Sequence, residues 1–383
     1  MDLTVPDELH DKFNDYPVAP ETCLFDASPT SESLRQLLEL PKATVKKLIP
    51  HVYDKKQYVC CLENLRLYMD LGVVVTKVHR VLSYRQETYL APYIKLNTEK
   101  RTATNSDFEK ELYKLLNNSI FGKTCENVEK RIDVRIIHHP NQLVKQASKP
   151  SFKSFTIFNN DLVGVEMAKT EIKYDRPMIV GMVILELSKV LMYDFHYNVI
   201  QARYGSKAKL CFTDTDSLTY LIETPDIYAD MLEMKEHFDT SDYPVDHPNY
   251  SLVNKKVIGK FKDELNGKPM WEFVGLRAKM YSILKEQAVQ KDGKLDSGEK
   301  KTAKGVQKAA IKRLTHENYK AAVFSTDKED LQRKVKFNTI RAYEHQVGTV
   351  AISKTGLCAY DDKKWVMEDN VHTLAHGHWR TRA

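Results

Sequence analysis

The sequence predicts an α+β protein. Three observations carry that expectation: an amphipathic helical pattern over residues 105–127, an apolar helical run over 177–200, and strand patterns at 208–222, 255–264 and 270–284 that read as parts of one sheet.

In chain order, residues 1 to about 56 are rich in proline and charge, with DYPVAPE and LPKATVKKLIP reading as irregular segments around a short helix near 31–40. QYVCCL (57–62) reads as a strand with Cys60 and Cys61 on opposite faces, NLRLYMDLG (64–72) as a short helix ending on glycine, and VVVTKVHRVLSY (73–84) as one or two strands. In NSDFEKELYKLLNNSIFGKTCEN, Ser106 is a candidate cap and Phe108, Leu112, Leu115, Leu116 and Ile120 form an apolar stripe. A basic, β-rich stretch follows. PMIVGMVILELSKVLMYDFHYNVI starts on Pro177, a first-turn residue, and is apolar nearly all round, as a buried helix should be.

Beyond the strands ending at 284, KEQAVQKDGKLDSGEKKTAKG (285–305) has almost no large apolar residue and reads as a mobile loop at a subdomain boundary. Helical pattern resumes in KAAIKRLTHENYKAAVF and TDKEDLQRKVKFN, and VGTVAISK and KKWVMED read as small strands.

Composition narrows the class. With 383 residues, 42% hydrophobic and 10% aromatic, the chain can bury two or three subdomain cores and is not dominated by disorder. Its 58 Lys plus Arg against 52 Asp plus Glu give +6, which permits polyanion binding and excludes a histone-like excess. Six cysteines without a C-x-x-C point to a reducing compartment rather than to disulfides or a zinc knuckle. No apolar run approaches the ~20 residues of a membrane span, so an intracellular soluble protein without a membrane partner is expected.

Three islands carry chemistry. CFTDTDSLTY (211–220) sets Asp214 and Asp216 one residue apart among strand formers; on an extended strand they would share a face and repel, unless the turn diverts them. Solvent or a bound cation must offset that cost, and a solvated polar turn is the plain alternative. In KLLNNSIFG, Lys114, Asn118 and Phe121 fall at i, i+4 and i+7, placing an ammonium, an amide and a ring on one helical face, with Lys110 one turn earlier and Arg101 upstream. An ordinary amphipathic helix is the alternative there. In GLRAKMYSI, Lys279 and Tyr281 would share one face of a strand, or simply form an exposed edge.

Taken together and in this order, the islands resemble the motifs of family B DNA polymerases. Motif B, a lysine followed after three residues by Asn-Ser-x-Tyr-Gly, is similar to Lys114, Asn118, Ser119, Ile120, Phe121 and Gly122, with Phe121 in place of the tyrosine. Motif C, Asp-Thr-Asp-Ser, is met at Asp214, Thr215, Asp216 and Ser217, and the Lys-x-Tyr motif at Lys279 and Tyr281. NDYPVAPE, TKVHRVL, YIKLNTEKR, MYDFHYN, GKFKDELNGK, EFVGLRAKMY and KGVQK look like the protein-primed branch, that of Polinton/Maverick transposons and related viruses, so the resemblance spans nearly the whole chain.

The resemblance implies a right-hand polymerase: an antiparallel palm sheet, short helical fingers and a small thumb. It divides the chain into a palm-associated insertion region (1–95), fingers with motif B (96–125), a palm with motif C and Lys-x-Tyr (126–282, with an insertion near 126–175), and a thumb (283–383). The insertions would support terminal-protein binding and strand displacement. Asp214 and Asp216 would be catalytic and hold two Mg²⁺ ions, Mn²⁺ being an alternative, with Glu264 an additional candidate ligand. Lys114, Lys110 and Arg101 would neutralise the incoming deoxynucleoside triphosphate, and Asn118 and Phe121 would shape the base-pair pocket. Lys279, Tyr281, Lys304 and Ser217 would bind the DNA primer-template.

The motif A string, Asp-x-x-(Ser or Asn)-Leu-Tyr-Pro, is not in the sequence; FDASPT offers Asp26 but lacks Leu-Tyr-Pro and follows NDYPVAPE. The expected chain therefore begins just downstream of the first catalytic strand and lacks the exonuclease domain. The implied function is templated deoxynucleotidyl transfer to a primer 3′ hydroxyl in the replication of a mobile element or virus, at the nucleus or a viral replication site. A catalytically inactive DNA-binding remnant is the alternative, and a metal-dependent nuclease would leave the NNSIFG helix without a role. His372, His376 and His378 in HTLAHGH read as structural histidines, because no fourth ligand stands at zinc-finger spacing.

Overall fold

A computed structural model describes residues 1–287, 297–343 and 345–382. The chain is a mixture of helices and small sheets. The described pairings are antiparallel except for the two-residue contact of Phe238–Asp239 with Phe261–Lys262 and the isolated bridge between His51 and His376. It separates into two compact units: residues 1–80, 188–337 and 352–383 form one, and residues 81–187 with 338–351 form the other.

The smaller unit includes a helical hairpin and a small sheet. A helical hairpin joins Ala91–Ala103 to Asp107–Thr124, the second helix starting where the Ser106 hydroxyl accepts the Glu109 N–H, a side-chain N-cap. The Asn97 amide donates to Asn117 at 2.9 Å and Lys100 lies 5.9 Å from the Tyr113 ring, so the Tyr113/Asn117 face meets the first helix. The expected apolar stripe is not the packing face, since Phe108 and Leu115 stay 77% and 63% exposed. A three-stranded sheet follows, in which Leu162–Met167 pairs with both Asp133–Ile137 and Phe152–Asn159 around a small core of Ile137, Val165 and Met167.

In the larger unit, Phe13, Val18, Tyr68, Tyr193 and Tyr197 belong to one apolar core. The helix Met178–Asp194 contributes to both units and continues as a π-helix over Phe195–Gln201. It is not buried throughout: Met178, Ile179, Leu187 and Leu191 are exposed, whereas Met192, Tyr193, Phe195 and Tyr197 are buried. Two hairpins follow. Ala208–Thr213 pairs with Leu218–Ile222, and Met270–Arg277 pairs with Met280–Lys285, to which Glu299–Ala303 adds as a third strand. That three-stranded sheet packs on His316–Phe324 through Val274, Leu276, Met280, Leu314 and Tyr319.

Several local expectations are corrected. Residues 57–61 are not a strand: Gln57 turns with φ 55° and Cys61 is the N-cap of the helix Leu62–Asp70. Only Phe261–Lys262 of 255–264 is a strand, and the strands of 208–222, 261–262 and 270–285 lie in three separate sheets rather than in one. In the expected loop 285–305, residues 288–296 lie outside the described residues, but Glu299–Ala303 is a strand that closes the sheet and buries Ala303. TDKEDLQRKVKFN is helical only over Lys328–Leu331, after which Gln332–Tyr343 is a strand paired with Gln346–Cys358.

Candidate active site

The 208–222 hairpin rests on the π-helix and on the amino-terminal NDYP segment. Leu218 and Tyr220 pack on the core formed by Phe195, Ile200 and Ala208. Asp15 accepts the Leu210 N–H at 3.3 Å beside the register shift between Leu210 and Phe212. Tyr193 donates its hydroxyl to the Pro17 carbonyl at 3.3 Å and Tyr197 donates to that of Tyr16, so two tyrosines one helical turn apart hold the segment that holds the hairpin. Packed against Tyr16 and Tyr197, His196 Nδ1 lies 3.0 Å from the Tyr220 hydroxyl with the His196 and Tyr220 rings stacked. Burial holds the His196 imidazole neutral, its pKa lowered to about 4, and raises the Tyr220 phenol above its ordinary range.

Residues 214–217 connect the strands, Thr213 pairing with Leu218. Asp216 donates its N–H to the Asp214 carbonyl at 2.7 Å, and Asp214 donates its own to the Ser217 carbonyl at 3.2 Å. Such an i to i+2 bond reverses the chain tightly, and Thr215 at its centre has φ 64°. A β-branched residue in the left-handed region is strained, and strain of this kind persists only where the surroundings impose it. The two acids therefore do not line one strand face. The turn diverts them, with Asp214 half-buried and Asp216 exposed.

The second hairpin meets the first at this turn. Arg277 pairs with Met280, so Ala278 and Lys279 form a two-residue turn, and Lys279 has φ 59°. Lys279 thus lies at the tip of the hairpin rather than on the strand face with Tyr281, a correction to the sequence reading. From that tip its ammonium forms an ion pair with Asp214 Oδ1 at 2.9 Å. Tyr281, on the strand, sets its ring 4.7 Å from that of Phe212, and Phe273 lies 5.9 Å from Tyr281. Lys304 is exposed, and its N–H donates to the Lys279 carbonyl at 3.1 Å, fixing the turn from a third side. The Ser217 hydroxyl points to the Asp214 carbonyl at 3.5 Å.

The nucleotide-binding candidates belong to the smaller unit. Lys114 and Asn118 are exposed and Phe121 half-buried on the helix Asp107–Thr124, beside rather than on the face that meets the first helix. Lys114 lies 4.0 Å from Glu111, and Lys110 is drawn to Asp107 at 3.2 Å and to the Asn105 carbonyl. Arg101 is half-buried in the last turn of Ala91–Ala103. In the larger unit, Glu264 is exposed and pairs with Lys300 at 3.2 Å. Asp26 is exposed beside Lys42. The carboxy-terminal histidines point to separate partners: His372 to Asp369, His376 to the Asp362 carbonyl and His378 to Asp11.

Among the described residues no group of three or more His, Cys, Asp or Glu side chains gathers as a metal cage. Magnesium does not require one, since it is commonly held by one or two carboxylates together with water and substrate phosphates. The pair Asp214 and Asp216 suits such a hard ion in its donor chemistry, and the ammonium of Lys279 already occupies a cation's position at Asp214. Sequence reasoning missed Asp15, Tyr16, Phe212 and His196, although the NDYP and MYDFHYN strings contain three of them.

Comparisons with protein-family profiles, with curated proteins and with solved structures give no match to this chain. No helix among the described residues is long and apolar enough to cross a membrane.

Proposed function

We propose that this chain is part of a DNA-directed DNA polymerase of the family B, protein-primed kind, adding deoxynucleotides to a primer 3′ hydroxyl on a template. The observation that carries the reading is the 2.9 Å contact between Lys279 and Asp214. Two motifs far apart in the chain, each weak alone, meet at the tips of two hairpins, which supports the resemblance from which both were read.

In this reading Asp214 and Asp216 hold the divalent ions, which when bound offset charge on the attacking and leaving oxygens. The turn at Thr215 leaves Asp214 half-buried beside Lys279 and Asp216 exposed. Lys279 and Tyr281 hold the primer terminus, with Lys304 and Ser217 beside them on the backbone, contacts that position a duplex without reading its sequence. Lys114, Lys110 and Arg101 neutralise the triphosphate, while Asn118 and Phe121 bound the base-pair pocket, Phe121 stacking without a hydroxyl to donate. Either a terminal protein or a nucleic-acid strand could serve as the primer in this reading.

The second reading, a DNA-binding remnant without catalysis, is favoured by one observation: among the described residues no third acid joins the two at the turn as a metal-holding group, and Glu264 pairs with Lys300. Primer extension with Mg²⁺ and all four deoxynucleotides separates the two. Templated extension that falls by about 100-fold or more in Asp216→Ala, the scale of losing a principal electrostatic contribution, supports the polymerase. Salt-sensitive duplex binding with no extension would establish the remnant instead.

A further inference from the structure

We propose that Lys279 couples metal binding to DNA binding: its ammonium occupies the Asp214 carboxylate until a DNA phosphate draws it away, and only then does the carboxylate take a divalent ion at full strength. This inference rests on the polymerase reading of the same site and adds to it an order of events.

The geometry provides a side chain that can move on a backbone that cannot. The Lys279 backbone is fixed in a two-residue turn at φ 59°, with its carbonyl tied to the Lys304 N–H at 3.1 Å. Phe212 and Tyr281 hold the two hairpins together at 4.7 Å independently of the ion pair. By contrast the ion pair is at the surface, with Lys279 46% and Asp214 35% exposed, so each partner can exchange for another without opening a core. Asp214 Oδ1 also receives the Thr215 hydroxyl at a long 3.5 Å, whereas Asp216 has no side-chain partner among the described residues.

An ammonium 2.9 Å from Oδ1 repels a divalent cation held by the same carboxylate, a penalty kept modest by the exposure of the pair. The lysine must leave for the ion to bind well, and the acceptor suited to receive it is a phosphate, here offered by the primer backbone. Because the coupling is a free energy shared by two ligands, it is reciprocal: DNA strengthens metal binding by the factor by which metal strengthens DNA binding.

The test is Mn²⁺ binding followed by electron paramagnetic resonance, without nucleotides, on the full chain alone and with a primer-template whose primer ends in a dideoxynucleotide. An exposed pair of this kind predicts that Lys279→Gln binds Mn²⁺ about three- to tenfold more tightly than the parent, and that the gain from added DNA shrinks by the same factor. Lys279→Arg, which keeps the charge, should behave as the parent. Equal Mn²⁺ affinity and equal DNA gain in the parent and Lys279→Gln, with Asp214→Asn still weakening the metal, would overturn the coupling and leave the metal site standing. Mn²⁺ binding indifferent to both Asp214→Asn and Asp216→Asn would overturn the metal site and the coupling together.

Discussion

The ring of Phe212 lies 4.7 Å from that of Tyr281, tilted by 47°, and this contact joins the strand leading into the paired acids to the strand leading out of the Lys279 turn. Aromatic pairs of this geometry contribute beyond their buried area, and truncating one leaves a void between two hairpins. Phe212→Ala is expected to cost about 1.5–3 kcal/mol, less than a fully buried phenylalanine because the ring is half-exposed. Urea denaturation measures it, and a change below about 0.5 kcal/mol would show that the hairpins are held by other means.

Thr215 supplies an opposite case, in which a native residue destabilises the fold. With φ at 64° its β-branched side chain sits in the left-handed region, where glycine carries no penalty. Thr215→Gly is expected to raise stability by about 0.5–1 kcal/mol, the relieved strain exceeding the added freedom of the unfolded chain. The same variant should extend primers more slowly, since the tight turn that orients both carboxylates is no longer enforced. A loss of stability in thermal unfolding would refute the strain.

His196 makes stability sensitive to acid. Burial lowers its pKa from the ordinary 6.5 to about 4, so the unfolded chain binds more protons than the folded one between those values. The contribution is fully present above about pH 6.5 and is lost as pH falls toward 4, by up to about 3 kcal/mol. His196→Phe should be less stable at pH 7, having lost the Tyr220 hydroxyl contact, yet show a smaller drop across that window. Denaturation midpoints at a series of pH values decide it, and an undiminished drop would place the sensitivity elsewhere.

Lys304 is exposed at the turn beside Lys279. If it lies along a duplex backbone, Lys304→Ala weakens binding to all sequences alike and reduces the slope of log affinity against log salt by about 0.9. Fluorescence anisotropy at several salt concentrations reads the slope. An unchanged slope would remove Lys304 from the interface.

How much of this was legible in the sequence depended on whether local pattern or distant packing decided each element. The helix Asp107–Thr124 could be read from its Ser106 cap and spacing, but not which face would pack: Tyr113 and Asn117 meet the neighbouring helix, while Phe108 and Leu115 remain in solvent. The hairpins around Asp214 and Tyr281 were visible as strand pattern, whereas the turn at Lys279 was not, because Ala278 and Lys279 lack the glycine or asparagine that usually announces one. EKKTA looked like loop because only its last residue, Ala303, is buried, and its strand exists through pairing with Met280–Lys285. In LQRKVKFN the charges fit a helix face as well as an exposed strand face, and the pairing with Gln346–Cys358 selects the strand. Of the site itself, both acids and both Lys-x-Tyr residues stood out as motifs. Asp15 and His196 did not, because they touch the hairpin from segments that only the fold brings near it.

The polymerase reading is tested most directly by anomalous diffraction from Mn²⁺ in crystals of the chain with a dideoxy-terminated primer-template and the next complementary nucleotide. The expected map shows Mn²⁺ at about 2.0–2.6 Å from carboxylate oxygens of Asp214 and Asp216, facing the triphosphate, with the Lys279 ammonium moved from Asp214 onto a primer phosphate. A map with DNA and nucleotide bound but no metal at either carboxylate would contradict it.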